Sequence, residues 1–216
     1  LEALAAELRD GHGIEVACIA SDLAQPQASA ELVKALEEQQ IAVTGLINNA
    51  GFGDRGQFAD LDLQRQLDMV QVNVTALVDL TWRLVPALKQ AQDAFVINVA
   101  STAAFQAGPN MTIYYATKAF VLSFSEGLHE ELKASGVAVS ALCPGATDSE
   151  FATEAHMTDT LLFKAGTMRT DAVVKKSLAA RRRAIVIPGL KNLLLVWMGK
   201  LSPRMITRRL AGMLQA

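Results

Sequence analysis

Residues 94–118 read AFVINVASTAAFQAGPNMTIYYATK, and the order of residue types in this stretch decides the fold. Ala94 to Ala100 is apolar apart from Asn98, as suits a strand buried on both faces. From Ile113 the apolar spacing becomes helical and predicts a helix to about Ala134. Tyr114 and Lys118 stand four apart on that helix, which puts them on one face with Cβ atoms about 5–6 Å apart. Tyr115 has Ala119 at the same spacing and so lacks such a partner. A second apolar strand, Val137 to Cys143, follows and ends at Pro144-Gly145. Strand, helix and strand in this order make a parallel unit, and the fold class is α/β.

Working outward, the alternation continues in both directions. Before it come a helix from Leu1 to Leu8, a strand-like run from Ile14 to Ile19, a helix from about Pro26 to Gln39 and a short apolar run from Val43 to Ile47. One or two long helices fill the interval between Asp62 and Gln90. After Pro144 lies a mixed segment, 146–168, rich in Thr, Met and Phe. A helix to Arg183, a short strand from Ala184 to Ile187 and a helical tail, 189–216, complete the chain. No repeat or linker divides it, so 1–216 reads as a single domain with a doubly wound parallel sheet.

Composition narrows the function classes. With 51% hydrophobic and 19% charged residues the chain can bury a substantial core. Its 20 basic and 22 acidic residues supply no overall pull toward nucleic acid. Cys18 and Cys143 lie in apolar runs and read as buried thiols, which suits a reducing cytoplasm. No apolar run approaches the ~20 residues of a membrane span and no signal peptide opens the chain, so a soluble, cytoplasmic protein is expected. His12, His129 and His156 have no Cys, Asp or second His at ligand spacing, so no metal site is expected.

In an open parallel sheet, ligands bind beyond the carboxyl ends of the strands. The residues there are Ser21-Asp22-Leu23, Asn48-Asn49-Ala50-Gly51, Ser101-Thr102 and Pro144-Gly145-Ala146-Thr147. Taken singly, each could be ordinary turn or capping chemistry. Taken together with Asn73, with Ser101 thirteen residues before Tyr114, and with Tyr114-Tyr115-Ala116-Thr117-Lys118, they stand in the order of a classical short-chain dehydrogenase/reductase. The chain resembles that family over nearly its whole length.

The resemblance implies a Rossmann-type domain and an oxidoreductase that moves a hydride between NAD or NADP, with NADP slightly favoured, and an alcohol or carbonyl compound. It assigns Tyr114 as proton donor and acceptor, Ser101 as the group that orients the substrate oxygen, and Lys118 as both the stabiliser of the phenolate and a holder of the nicotinamide ribose. A phenol with its usual pKa near 10 needs such help. A positive charge about 4 Å away at an effective dielectric near 20 is worth about 4 kcal/mol, enough to bring Tyr114 to roughly 7. Asn73 would bind water in a proton relay from Lys118, or else serve as a helix-kink or polar packing residue. Asp22 and Leu23 resemble the adenine-contacting pair, and Asn49, Ala50 and Gly51 the segment beneath the cofactor, with Asn48 tying strands together. Pro144, Gly145, Thr147 and Ser149 resemble the loop that meets the carboxamide, Ser149 replacing the common Thr.

The segment 146–168 would then be the substrate-binding loop, with Phe151, Met157, Phe163 and Met168 as candidates for an apolar pocket. A homo-oligomer, dimer or tetramer, is expected. The tail combines Leu193 to Met198 with Lys191, Lys200, Arg204, Arg208 and Arg209; closure of the substrate side or an oligomer contact is the favoured reading, and an interfacial membrane helix the other. Two rival functions remain: a non-catalytic cofactor-binding regulator of the same fold, and an extended relative acting on sugar nucleotides, which usually needs more chain after Pro144. The family's opening strand and Gly-rich turn, which cradle the pyrophosphate, have no counterpart here. About 40 further residues before Leu1 are therefore expected.

Overall fold

Apolar runs pair into one parallel sheet in the computed structural model, which describes residues 1–164 and 166–215, the side chains at 161, 162, 214 and 215 excepted. Ala165 of the substrate loop and Ala216 of the tail lie outside the described residues. The strands are β1 Gly45–Asn48, β2 Phe95–Val99, β3 Ala138–Leu142 and β4 Ile185–Val186, adjacent in chain order. Asn48 stands beside Asn98 in the first pairing, and Val99 beside Leu142 in the second. The helices are α1 Glu2–His12, α2 Ala28–Glu38, α3 Leu63–Val70, α4 Leu77–Leu88, α5 Thr112–Leu132, α6 Phe151–Glu154, α7 Leu161–Lys164, α8 Thr170–Ala179, α9 Leu190–Leu201 and α10 Arg204–Gln215.

Alternation along each strand divides the core. Val96 and Val139 pack with Leu84, Leu88 and Leu132, so α4 and α5 cover one face, with Val33 and Leu36 of α2 at its margin. Ile97 and Leu142 point the other way and meet Val173 of α8. Burial of the strands on both faces explains why they read as continuous apolar runs rather than alternating ones.

Between these layers Asn48 donates from Nδ2 to Thr81 Oγ1 at 3.0 Å and to Asn98 Oδ1 at 2.8 Å, and Asn98 passes a bond of 2.9 Å to Ser125 Oγ. Asn48 thus ties β1 to β2 and both to the helices above them. A buried amide is tolerated there because it has its partners.

Where one or two long helices are expected before β2, the structure forms one rod with a defect. Asp62 caps its start by accepting from the Arg65 backbone N–H at 2.8 Å. One π-helical turn, Gln71–Ala76, then separates α3 from α4. Such turns displace side chains from the regular helical face and recur at functional sites. Here the displaced residue is Asn73.

One expected strand is not formed. Residues 14–19 belong to no ladder, because a strand exists only through hydrogen bonds to a neighbour. Between this stretch and the outer edge of β1 runs a groove of about 420 Å³ lined by Ala17, Ile19, Leu23, Leu46 and Ile47. The expected short strand from Ala184 is reduced to two residues, and the helix before it ends at Ala179 rather than Arg183.

Candidate functional site

The carboxyl ends of β1, β2 and β3 open into one cavity of about 1110 Å³. Asn49 and Gly51 reach it from the turn after β1, Ser101 from the end of β2, Pro144, Gly145, Thr147 and Ser149 from beyond β3, and Tyr114 and Lys118 from the first turns of α5. Sequence separations of up to a hundred residues are closed by the parallel register. The candidate Tyr, Lys and Ser are brought together.

Ser101 Oγ accepts from the Ala103 N–H at 3.1 Å, capping a 3-10 turn from Thr102 to Phe105, and lines the cavity together with Tyr114. The Tyr114 ring is held by Phe151, with centroids 5.3 Å apart, and by the edge of Tyr115 at 6.1 Å. Lys118 Nζ donates to the Val99 carbonyl oxygen at 2.7 Å and lies 5.8 Å from the Tyr114 ring centroid. Tyr115 packs on Gly108, where an added Cβ would come within 2.3 Å of its ring.

Burial dominates the electrostatics. Desolvation pushes the Tyr114 phenol above its ordinary value, the bond from Ser101 opposing it. Desolvation also pulls the Lys118 ammonium down to about 8, with the Cys143 thiol the opposing influence, and pushes that thiol up to about 12. The drop of Tyr114 toward 7 expected from spacing is therefore not found here. The ammonium is anchored on a carbonyl oxygen and stands 5.8 Å from the centre of the Tyr114 ring, and burial of the phenol outweighs its field.

Asn73 is buried with both ends of its amide engaged. Oδ1 accepts from Phe52 N at 3.1 Å, while Nδ2 donates to Phe52 O at 3.0 Å and to Thr117 Oγ1 at 3.2 Å. It fastens the turn after β1 to α5. A Cβ at Gly51 would stand 2.8 Å from Asn73 Oδ1 and 3.5 Å from Lys118 Nζ, so only glycine fits between them without displacement.

Three cofactor-binding candidates, Asp22, Leu23 and Ala50, do not line the main cavity. Asp22 is exposed, and its carboxylate accepts from Ala24 N and Gln25 Nε2, both at 3.1 Å, which lowers its pKa, the Gln25 bond being the larger cause. Leu23 borders the groove beside β1 together with Asn48, Asn49 and Ala50, not the main cavity. Among the described residues no three His, Cys, Asp or Glu side chains converge as metal ligands.

The structure adds residues that the motifs did not name. Asn192 of α9 lies against Gly145, where a Cβ would meet its amide at 2.4 Å, and donates to Pro188 O at 2.8 Å. Leu195 and Val196 line the same wall, so one face of the tail does close the cavity. Arg55 grips the segment after α6 through both oxygens of Asp159, at 2.8 and 3.0 Å, and through His156 O at 2.7 Å. Arg65 reaches Glu154 O at 3.3 Å while its Nε lies 3.5 Å from buried Asp54. The one uncharged polar side chain of α9, Asn192, was the available signal; the two arginines left none, because their partners in the segment around α6 and α7 lie about a hundred residues away.

The family model described as short chain dehydrogenase matches residues 1–160. Among curated proteins, a very-long-chain 3-oxoacyl-CoA reductase of Anas platyrhynchos is 31% identical over 149 residues, 67% of this chain and 47% of its own length. A serine 3-dehydrogenase of Agrobacterium fabrum is 35% identical over 153 residues, 70% of this chain and 59% of its own. The chain thus spans about half to three fifths of these relatives. Among solved structures, a short-chain dehydrogenase from Sphingobium yanoikuyae in complex with NADPH has 32% identity and a TM-score of 0.79, covering 94% of this chain and 82% of that one.

Proposed function

Since this chain belongs to the short-chain dehydrogenase family, we propose that it moves a hydride between a nicotinamide dinucleotide and an alcohol or carbonyl carbon, with Tyr114 exchanging the proton at the substrate oxygen. The observation that carries this reading is the convergence of Ser101, Tyr114 and Lys118 on one cavity at the carboxyl ends of the strands. At about 1110 Å³ the cavity exceeds the ~300–1,000 Å³ of ordinary small-molecule pockets, which suits a cofactor and a substrate side by side.

The residues fit such a cofactor. Lys118 spends one of its three N–H donors on Val99 and lines the cavity, where a ribose hydroxyl is a suitable acceptor. Asn49 and Gly51 form one wall, and Pro144, Gly145, Thr147 and Ser149 the wall facing the carboxamide. When bound, the nicotinamide supplies or takes up the hydride. NADP is proposed over NAD as its form; solved relatives include complexes with NADPH and with NADH.

In the reductive direction Ser101 and Tyr114 both donate hydrogen bonds to the carbonyl oxygen, drawing electron density from the carbon that gains the hydride. The Tyr114 proton then passes to that oxygen. The phenolate left behind faces the Lys118 ammonium, whose pKa near 8 lets it return a proton at neutral pH. Asn73 keeps α5 and the turn after β1 in register and so positions Lys118. Phe151, Met157, Phe163 and Val174 make the substrate side apolar, which favours a carbonyl compound with a hydrocarbon body. Exposed Trp82 on α4 and Phe120 on α5 support the expected homo-oligomer.

The test is turnover of the full-length protein with NADPH and NADH against a panel of ketones and aldehydes, followed by nicotinamide absorbance. Tyr114→Phe keeps the ring packing and should lower kcat by about 10²–10⁴-fold while the thermal midpoint barely moves. Turnover retained in that variant removes Tyr114 as the proton donor. Cofactor binding without turnover across the panel would favour the regulator.

A further inference from the structure

We propose that α9 and α10 dock this protein on the surface of an anionic lipid bilayer. Leu190, Leu194, Trp197 and Leu201 recur at helical spacing and form one stripe, 72%, 54%, 57% and 83% exposed, with exposed Met198 beside it. The opposite side of the helix carries Asn192 and buried Val196, which belong to the cavity wall. Lys191 and Lys200 flank the stripe on either side. In α10 the inward residues are Thr207 and Ala211, while Ile206, Leu210 and Met213 face outward. Only Ser202 and Pro203 separate the two helices.

Charge identifies the occupant. The near-neutral total hides a division: residues 1–171 hold all 22 acidic residues and 10 of the basic ones, whereas residues 172–216 hold 10 basic and no acidic residue. A second copy meeting this face symmetrically would set the five basic residues of α9 and α10 against the same five. An anionic bilayer presents the opposite sign to exposed Arg204, Arg208 and Arg209 of α10, while its acyl boundary accepts Leu, Met and Trp side chains. No helix among the described residues is long and apolar enough to cross a membrane, so contact is with the surface. The docked face would lie one helix thickness, about 10 Å, from the cavity wall.

Flotation of the full-length protein with vesicles tests this. Binding is expected to vesicles holding phosphatidylglycerol at about a third of the lipid, and at least about tenfold weaker binding to pure phosphatidylcholine or at molar salt. Leu194→Ser with Trp197→Ser, and separately Arg208→Glu with Arg209→Glu, should each reduce the partition coefficient by about tenfold or more without altering circular dichroism or turnover of soluble substrates. Absence of binding to the anionic vesicles overturns the proposal. So does equal binding by both double variants and the unaltered protein. Self-association that Trp197→Ser abolishes, in a protein that ignores vesicles, assigns the face to a second copy instead.

Discussion

Lys118 sits where an ammonium is costly to keep, and that cost has a measurable pH dependence. Burial lowers its pKa from 10.5 to about 8, so in the window between those values the unfolded chain holds more protons than the folded one. Stability contributed by this side chain is therefore complete above 10.5, falls as pH drops toward 8, and stays at its lower level below that. Relative to Lys118→Met, the unaltered protein should gain about 3 kcal/mol between pH 7.5 and 10.5, read from denaturant midpoints at each pH. A difference that stays flat across the window shows that the ammonium is not desolvated as its position indicates. Met at this position should also lower turnover by about a hundredfold or more, because nothing then faces the phenolate. Tyr114 teaches the complementary lesson. Spacing put a positive charge near it, but the path of the lysine side chain to Val99 O and the depth of both groups decided which way the phenol moved.

The π-helical turn and the two arginine straps act at the level of elements. The π-helical turn at Gln71–Ala76 carries Asn73, which meets both Phe52 and Thr117. Arg55 and Arg65 hold the segment around α6 and α7 against the turn after β1, closing the substrate side of the cavity. The Arg55 pair is partly solvated, with Asp159 65% exposed, so its contribution to global stability is small, about 0–1 kcal/mol. Its effect should appear in the loop. Arg55→Ala is expected to raise KM several-fold and to admit proteolytic cleavage within residues 148–164, with the thermal midpoint within a few degrees of the original. Unchanged KM and unchanged protease resistance would show that packing of Phe151 and Met157 alone holds the segment.

Across the whole molecule, the sheet is unevenly protected. β2 and β3 have a neighbour on each side, whereas β1 pairs only with β2 and leaves Ile47 52% exposed beside the groove. In the 216-residue chain, amide exchange should be faster in β1 than in β2, and equal protection in the two would mean that the groove is closed in solution. The sequence by itself determined the α/β class, the order of strands and helices from Val43 onward, and the grouping of Ser101, Tyr114 and Lys118. The class and the order follow from local periodicity, and the grouping from the resemblance to the family together with the rule that a parallel sheet gathers its strand ends on one side. It overreached at Ile14 to Ile19, because a β-rich run becomes a strand only when a partner supplies the hydrogen bonds. Tertiary structure alone decided the direction of the Tyr114 shift, the packing of Asn73, the position of Asp22 outside the main cavity, the hold of Arg55 on Asp159, and which face of the tail looks outward. Each of these depends on depth from solvent or on residues far apart in the chain, and neither quantity is written in local spacing.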